Sequence, residues 1–425
     1  MNPIESDRKI KRVDPADVFV GAVANEMHRD SYIFRKFPIC QHTSLVLPRL
    51  EKMTYLAQTF PRSLALITNI ASTLWSPLLY PAFLLSQAVR ALRYLGGAGG
   101  NLKGDVFFVT SKSSLIFSRS SAFEGKHIYV SKKLERSNPV QESIGSISDY
   151  VILSDIASAF HNSVRALLRI RRSCNMPGAI FQVYPAFAWF LTWSVLNRYT
   201  GGLTSVWISN DCDRWAVLFD QLPTSAQRVI VQHGLLNDPP NHQGFRNPAA
   251  LPTRLKNIDK IVLFDKESEE KYRNLVVAGG CYPGFIYCDA WSIQRNAEPD
   301  DGSATRVMII GQRGHLEREC ELANYLAQTL DCARIYVRPH PNSPSSQYKK
   351  CLDRCVVLIE DLYQYPSVEL CICFDFSSLG DIYEKQGVRV LYLTGFKMDP
   401  QVREDVRKQV LQISRSVNRK SVPQT

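Results

Sequence analysis

Short apolar runs alternate along the chain with stretches of helical periodicity. In the first half, the runs that predict buried strands lie at residues 105–109, 150–153, 179–183, 203–208, 228–231 and 259–264. Helical patterns fall between them, for example over residues 156–171 and 187–199. Such an alternation predicts a parallel, doubly wound sheet, because parallel strands need crossover connections.

A second series of the same kind follows a polar stretch. Its strands are predicted at residues 306–310, 334–337, 370–374 and 388–393. The predicted fold class is therefore α/β, with two Rossmann-like domains that face each other across a cleft and a mostly helical N-terminal extension. The predicted parts are an extension 1–100, a domain 101–294, a linker 295–305, a domain 306–398, and a C-terminal helix and tail 399–425.

Residues 63–89 contain no charged residue, and arginines flank them on both sides. Pro77 and Pro81 divide this stretch, which is otherwise long enough to span a bilayer. A pair of buried or interface-lying helices, a monotopic membrane contact and a transmembrane span all fit this pattern. The polar N-terminus lacks the apolar segment of a signal peptide. We expect a cytoplasmic protein, and the membrane-contact alternative would place it peripherally at the inner membrane.

Charge and cysteine usage narrow the function classes. The 425 residues carry a net charge of +11, but the basic residues are scattered and no nucleic-acid-binding motif accompanies them. We therefore expect anionic substrates or an anionic membrane, and no nucleic acid. The eleven cysteines have irregular spacing, which favours reduced, buried thiols over disulfides or a zinc site.

The tetrapeptide Arg338-Pro339-His340-Pro341 ends a predicted strand. Because each proline fixes its own φ and restricts the residue before it, His340 is held at the carboxyl end of that strand. An imidazole N–H there would donate to a phosphate oxygen and offset charge on a departing group. Arg338 would add a bidentate contact, or it would form a surface ion pair.

Two serines follow the next apolar run and precede a helical pattern. Ser377 and Ser378 would hold donor phosphates together with the free N–H groups of the helix, or Ser377 would simply cap it. Glu384 in that helix would accept from a ribose hydroxyl, or it would lie on a solvated face. Gly311 and Arg313 belong to a short strand-to-helix loop of the kind that approaches phosphate.

In the first half, strand ends carry candidate bases for an acceptor hydroxyl. His233 follows the strand at 228–231, and Asp211 and Asp213 follow the strand at 203–208. His233 could instead bond a backbone carbonyl, and Asp213 could form an internal ion pair with Arg214. Asp265 is expected to cap the next helix.

No metal site is predicted, and no cofactor is expected beyond a nucleotide-activated co-substrate. The only Asp-x-Asp that ends a strand is Asp211-Cys212-Asp213, which could hold a divalent ion with a diphosphate. Asp300-Asp301-Gly302 lies in the linker and is interpreted as a turn.

The three strand ends Gln232-His233-Gly234, Arg338-Pro339-His340-Pro341 and Asp375-Phe376-Ser377-Ser378 resemble those of bacterial surface-polysaccharide glycosyltransferases of the GT-B fold. Capsule and lipopolysaccharide transferases, sialyl- and polysialyltransferases and CDP-glycerol glycerophosphotransferases belong to this group. The resemblance implies that His340 and the paired hydroxyls hold the donor's phosphates, and that His233 lies near the acceptor. Residues 1–100 show no such resemblance.

The chain departs from the sialyltransferase pattern, because its only acidic pair before a glycine lies in the linker. The base therefore stays open among His233, Asp211 and Asp213. The predicted activity is metal-independent transfer of a sugar, or a sugar-like group, from a nucleotide donor to a growing cell-surface polysaccharide or a lipid-linked glycan. The alternatives are a nucleotide-sugar epimerase of the same fold and a non-catalytic nucleotide-binding or assembly protein.

Overall fold

A computed structural model describes residues 13–34, 79–95, 101–111, 114–115, 118, 123–130, 144–173, 182–211, 213–232, 251–263, 265–287, 305–312, 315–341, 343–361, 364–374, 377–393 and 399–420. The chain divides into two compact units, Met1–Cys288 and Asp289–Thr425. The sequence-based domain bounds, the linker and the cleft between domains stay predictions.

The first unit contains a parallel seven-stranded sheet. Its strands are β1 (Gly104–Val109), β2 (Lys126–Tyr129), β3 (Gly145–Ser146), β4 (Leu203–Ile208), β5 (Gln227–Val231), β6 (Lys260–Leu263) and β7 (Gly284–Tyr287). They lie in the order β3-β2-β1-β4-β5-β6-β7. The direction of winding therefore reverses between β1 and β4.

The α-helices described in this unit are α1 (Pro15–Phe34), α2 (Tyr80–Leu92), α3 (Leu153–Ser173), α4 (Ala186–Tyr199), α5 (Arg214–Gln221) and α6 (Lys266–Lys271). The first two precede the sheet in the chain. The apolar faces of α1 to α5 share one core with alternate residues of β1, such as Val106 and Phe108. Phe107 points to the other face, where its ring lies 5.5 Å from that of Phe123. The part of 1–100 that is described thus packs into the first unit.

α1 is fastened to the unit by buried polar contacts as well as by apolar packing. Glu26 accepts from the Nε of Arg214 at 2.8 Å and also pairs with its terminal nitrogen. Asn25 donates to the carbonyl of Thr253 at 2.7 Å and accepts from its N–H at 2.8 Å. Both arginine and glutamate are buried, so the ion pair belongs to the core of the unit.

The second unit contains a parallel five-stranded sheet in the order β10-β9-β8-β11-β12. Its elements are β8 (Thr305–Ile310), α7 (Leu316–Thr329), β9 (Ala333–Arg338), α8 (Ser345–Cys351), β10 (Val357–Leu358), β11 (Leu370–Cys373), α9 (Ser378–Lys385), β12 (Arg389–Tyr392) and α10 (Pro400–Lys420). This is the strand order of a doubly wound nucleotide-binding fold, with its reversal between β8 and β11.

Helices cover both faces of this sheet, and the strands alternate between them. Val307 and Ile309 of β8 pack in a core that includes residues of α7, α8 and α10. Met308 and Ile310 pack on the opposite side with Tyr383 of α9. A sheet that is buried on both faces explains why its strands are near-continuous apolar runs in the sequence.

The predicted α/β class with two parallel sheets is confirmed, and most predicted strands and helices are found within a residue or two of their expected bounds. Most of the strand predicted at 179–183 lies outside the described residues. The strand predicted at 150–153 is wrong. Ser146 and Asp149 form a reciprocal capping box for a 3₁₀ turn over Ile147–Tyr150, and Asp155 then accepts from the N–H of Ile152 as α3 begins. These side-chain bonds outweigh the β propensity of the short apolar run.

Within the described part of 63–89, residues 80–89 belong to α2, and Pro81 stands in its first turn, where a missing N–H costs nothing. Residues 63–78 lie outside the described residues. None of the described helices combines the length and the apolar character that crossing a bilayer requires.

Candidate functional site

The carboxyl edge of the second sheet collects several of the predicted donor-binding residues. Open parallel sheets bind ligands outside the carboxyl ends of their strands, where the strand order reverses. Ile310, at the end of β8, pairs with Arg338 of β9 on one side and with Cys373 of β11 on the other. Gly311, His340 and Ser377 follow these three level strand ends, and therefore lie along one edge of one sheet.

Gly311 makes a close backbone contact with the neighbouring strand end. Its N–H donates to the carbonyl of Arg338 at 2.7 Å. A Cβ at this position would lie 2.8 Å from both the Arg338 carbonyl oxygen and the His340 nitrogen, and 2.9 Å from the Cα of Pro339. Only glycine fits this approach, so Gly311 sets the position of the backbone that carries His340.

His340 is half-buried, and its own carbonyl accepts from the N–H of Ser343 at 2.7 Å. This bond closes a turn directly after β9. The proline-framed exit that the sequence predicts is therefore a compact turn, held by Gly311 on one side and by Ser343 on the other.

Ser377 is the N-cap residue of α9, but its hydroxyl makes no capping hydrogen bond. The alternative in which Ser377 only caps the helix through its hydroxyl is therefore wrong. Its carbonyl accepts from the N–H of Asp381 at 3.0 Å, which leaves the first N–H groups of α9 at the sheet edge. Ser378 opens the helix. Glu384 is exposed in the last turn, about 10 Å further along the axis.

Arg338 is buried, which excludes the surface ion pair as its role. Its guanidinium lies over the ring of Tyr365, with 4.4 Å to the centroid, and donates to the carbonyl of Gln364. A weaker bond reaches the carbonyl of Asp361 at 3.5 Å. Burial lowers the pKa of this guanidinium below its usual value. Arg338 therefore fastens the segment before β11 to the end of β9.

Sequence reasoning missed Glu319, a fully buried carboxylate of α7. It accepts from the backbone N–H of Gln312 at 2.6 Å and from the hydroxyl of Tyr348 at 2.5 Å. Burial raises the pKa of Glu319 to about 7, although both hydrogen bonds act to lower it. The signal was present, because Glu319 occupies the apolar stripe that continues through Leu322, Ala323 and Leu326.

A polar network lies at the carboxyl edge of the first sheet, again where the strand order reverses. Thr110, after β1, donates to the amide oxygen of Asn210 at 2.8 Å, and the amide nitrogen of Asn210 donates to Asp213 at 2.5 Å. The other carboxylate oxygen of Asp213 accepts from the N–H groups of Trp215 and Ala216, at 2.9 and 3.2 Å. Asp213 is therefore the cap of α5, and both of its oxygens are occupied.

Asp211 has a different environment, although it is two residues away. It is buried, and one of its oxygens accepts from the hydroxyl of Tyr272 at 3.0 Å. Tyr272 begins a short π-helical turn, Tyr272–Val276, a feature that often occurs beside functional sites. The predicted internal ion pair between Asp213 and Arg214 is wrong. Arg214 does form a buried ion pair, but its partner is Glu26.

His233 and Arg313 lie outside the described residues. Gln232, just before His233, is buried and donates to the hydroxyl of Ser268 at 3.0 Å. Asp265 caps α6 by accepting from the N–H of Ser268 at 2.7 Å, as predicted. The exit of β5 is thus tied to the start of α6.

Among the described residues, no group of three or more histidine, cysteine and acidic side chains could hold a metal ion. Asp213 already accepts hydrogen bonds on both oxygens, and Asp211 accepts one from Tyr272. Metal-independent chemistry stays a prediction.

The sequence matches no protein-family profile, and no curated protein is significantly similar to it. Solved structures that align with this chain include a glycosyltransferase from Rickettsia africae ESF-5, which is 11% identical and aligns over 74% of this chain and 88% of its own, with a TM-score of 0.36. The glycosyltransferase SnogD from Streptomyces nogalater is 11% identical and aligns over 75% of this chain and 98% of its own, with a TM-score of 0.36. The glycosyltransferase VinC, in complex with DTDP, is 9% identical and aligns over 75% of this chain and 96% of its own, with a TM-score of 0.32.

Proposed function

We propose that this protein is a GT-B-type glycosyltransferase that moves a sugar, or a sugar-like group, from a nucleotide-activated donor to a cell-surface glycan. The observation that carries this proposal is the alignment of Gly311, His340 and Ser377 along the carboxyl edge of one doubly wound sheet, at its point of reversal. Such an edge suits a nucleotide's phosphates, because it offers backbone N–H groups and neutral donors together.

The donor's phosphates would be held by three kinds of group. The imidazole of His340 donates an N–H, the hydroxyl of Ser377 is free of capping duty, and the first N–H groups of α9 point outward with Ser378 among them. Arg313 would add a positive charge from the loop after Gly311. These groups counter the negative charge that grows on the nucleotide as its bond to the sugar breaks.

Arg338 has a supporting role in this proposal rather than a direct one. Its guanidinium is buried against Tyr365 and two backbone carbonyls, so it fixes the strand end that carries His340. Glu384, exposed near the end of α9, stays the proposed partner of a ribose hydroxyl.

On the acceptor side, Asp211 is a better general base than Asp213. Both oxygens of Asp213 accept hydrogen bonds, one from the first N–H groups of α5 and the other from the amide of Asn210. Protonation of Asp213 as a general base would weaken these bonds and destabilise the start of α5. Asp211 accepts one bond, from Tyr272. The acceptor hydroxyl would lose its proton to Asp211 or His233, its oxygen would attack the anomeric carbon, and the nucleotide would leave with the bonding electrons.

Finer parts of the proposal are a nucleotide-sugar donor, no divalent metal, and a growing polysaccharide or lipid-linked glycan as acceptor at the inner membrane. The net charge of +11 supports anionic substrates or an anionic surface. The neutral donors at His340 and α9, together with the positive charge of Arg313, would take the place of a metal at the diphosphate.

Calorimetric titration tests the donor site. The full chain is titrated with CMP, CDP, UDP, GDP and inorganic phosphate, with and without magnesium, beside His340→Ala and the matched control His161→Ala, an exposed histidine of α3. We expect one nucleoside diphosphate or monophosphate to bind at least about tenfold more weakly to His340→Ala. The control should bind as the wild type does, and magnesium should make no difference.

Failure of every nucleotide to bind would contradict the transferase proposal. Binding that His340→Ala leaves unchanged would contradict the site. Where a nucleotide binds, its sugar derivative is incubated without and with a glycan acceptor. Conversion of the donor without acceptor indicates an epimerase, turnover that requires the acceptor supports the transferase, and no turnover in either case indicates a non-catalytic binding protein.

A further inference from the structure

α2 exposes an apolar stripe on the side opposite to its buried one. Its buried residues are Tyr80, Leu84, Gln87 and Ala91. Leu85, Val89 and Leu92 are spaced by four and three residues, so they share the outer face, and all three are at least 45% exposed. A surface helix normally places charged or polar residues there. The outward side of α2 is thus as apolar as its inward side.

α3, which packs against α2, repeats this arrangement. Ile156, Ala159, Ala166 and Ile170 are buried in the core of the first unit. Phe160, Val164 and Leu168, again four residues apart, are exposed. Two helices in contact therefore both expose apolar side chains. Single exposed apolar residues are common on protein surfaces, but apolar stripes on neighbouring helices indicate an interaction surface.

The exposed charges on these two helices have one sign. Arg90 and Arg93 are exposed at the end of α2, and Arg171 and Arg172 are exposed at the end of α3. α2 contains no acidic residue. The only acidic residue of α3 is Asp155, which is buried and bonded to Arg198 at 2.8 Å. The outward faces thus combine apolar stripes with arginines, and neither helix has an exposed carboxylate of its own. Asp14 and Asp17, at the start of α1, pair with Arg165 and Arg169 of α3.

We infer that the outward faces of α2 and α3 form a surface that docks onto an anionic phospholipid membrane. Apolar residues would enter the boundary between headgroups and acyl chains, and the arginines would meet lipid phosphates. A second copy of this chain fits less well, because it would place four arginines against four others. α2 is only about 20 Å long, so it would lie in the interface rather than cross it.

This surface deepens the proposed function and rests on it in one respect: a transferase that elongates a lipid-linked glycan needs to work at the membrane. The sequence pointed to 63–89 alone as a membrane contact. α3 enters only through the structure, since the exposure of Phe160, Val164 and Leu168 is not evident from an ordinary helical pattern.

Co-sedimentation of the full chain with lipid vesicles tests the inference without donor or acceptor, so its outcome is independent of transferase activity. The vesicles are made of phosphatidylcholine alone or of phosphatidylcholine with phosphatidylglycerol. The variants are Leu85→Gln with Leu168→Gln, at positions 60% and 47% exposed, and Arg90→Gln with Arg93→Gln. Tyr282→Gln, at an 84% exposed position elsewhere in the first unit, is the matched control.

We expect the wild type and Tyr282→Gln to bind phosphatidylglycerol vesicles equally, and binding to fall as salt rises. The leucine pair and the arginine pair should each bind at least about tenfold more weakly. All variants should melt with the wild type, because the exchanged side chains are exposed. Unchanged binding by the leucine pair, equal binding to phosphatidylcholine alone, or no binding by the wild type would each overturn the inference. A dimer that the leucine pair converts to a monomer would identify a second copy as the occupant instead.

Discussion

Glu319 shows how one buried carboxyl can control a binding loop. It holds the N–H of Gln312, directly after Gly311, and the hydroxyl of Tyr348. No ion pair with Glu319 occurs among the residues that the structure describes, so burial acts on its charge without a compensating cation. The loop after β8 thus depends on a group whose charged form is costly in the folded protein.

The stability of the protein should therefore depend on pH through Glu319. Its pKa is raised from 4.5 to about 7 on folding, so the folded state binds the extra proton between these values. The stabilisation that comes from this extra proton is fully present below pH 4.5 and is lost as pH rises through about 7. Glu319→Gln cannot ionise and should gain up to about 3 kcal/mol on the wild type as pH rises across this window.

Thermal or urea unfolding of both proteins at several pH values measures this difference. Glu317→Gln is the matched control, because Glu317 is exposed on the same helix; its profile should follow that of the wild type. Parallel profiles for wild type and Glu319→Gln across the window would show that the carboxyl does not carry the proposed charge penalty.

Gly311 illustrates what a sequence can and cannot say about a single residue. A glycine in a strand-to-helix loop is a weak signal, and it predicted only that a backbone could approach a phosphate. The structure shows that the backbone it approaches is that of Arg338 to His340, within 2.9 Å of a hypothetical Cβ. That contact joins residues far apart in the chain, so no local pattern could have specified it.

At the scale of elements, the sequence predicted best where burial is complete. β8, β9 and β11 of the second sheet are largely buried and were found near their predicted bounds. β2, β3 and β10 were not predicted. All three are short, and β3 and β10 lie at sheet edges, where the apolar signal in the sequence is weak. α1 was missed because its stabilising contacts are to Arg214 and Thr253, far along the chain.

α1 supplies a prediction at this scale. Arg214 is 1% exposed and its charge is met by Glu26. Glu26→Gln would leave a buried guanidinium without its counter-charge, which costs about 3–5 kcal/mol. The first unit should therefore unfold at a clearly lower urea concentration, as followed by the fluorescence of the buried Trp189 and Trp215.

Asp17→Asn is the matched control on the same helix. Asp17 also pairs with an arginine, Arg169, but its side chain is 65% exposed, and exposed pairs contribute about 0–1 kcal/mol. A loss of stability as small for Glu26→Gln as for Asp17→Asn would mean that the buried ion pair does not hold α1 and that apolar packing does.

At the scale of the whole molecule, the second unit has what an independent domain needs. Its sheet is covered on both faces, and α10 contributes the buried Val406 and Val410 to one of its cores. α10 is also joined to α7 by Arg403 with Glu321 at 2.7 Å, and by Tyr325 with Glu404 at 2.9 Å. All described donor-site candidates belong to this unit.

A fragment of residues 289–425 should therefore fold on its own and bind the same nucleotide as the full chain. Circular dichroism should show one cooperative thermal transition, and calorimetry should give an affinity within about tenfold of the full chain's. A shorter fragment, 289–399, lacks α10 and should lose the transition, because its removal exposes the apolar face that Val406 and Val410 cover.

The two fragments separate the fold from the site. Cooperative folding of 289–425 without nucleotide binding would mean that donor contacts from the first unit are essential, although the edge formed by Gly311, His340 and Ser377 is intact. Failure of 289–425 to fold would show that its cores depend on the rest of the chain. Cooperative folding of 289–399 would contradict the role of α10, since two fully buried valines cannot be removed from a core at no cost.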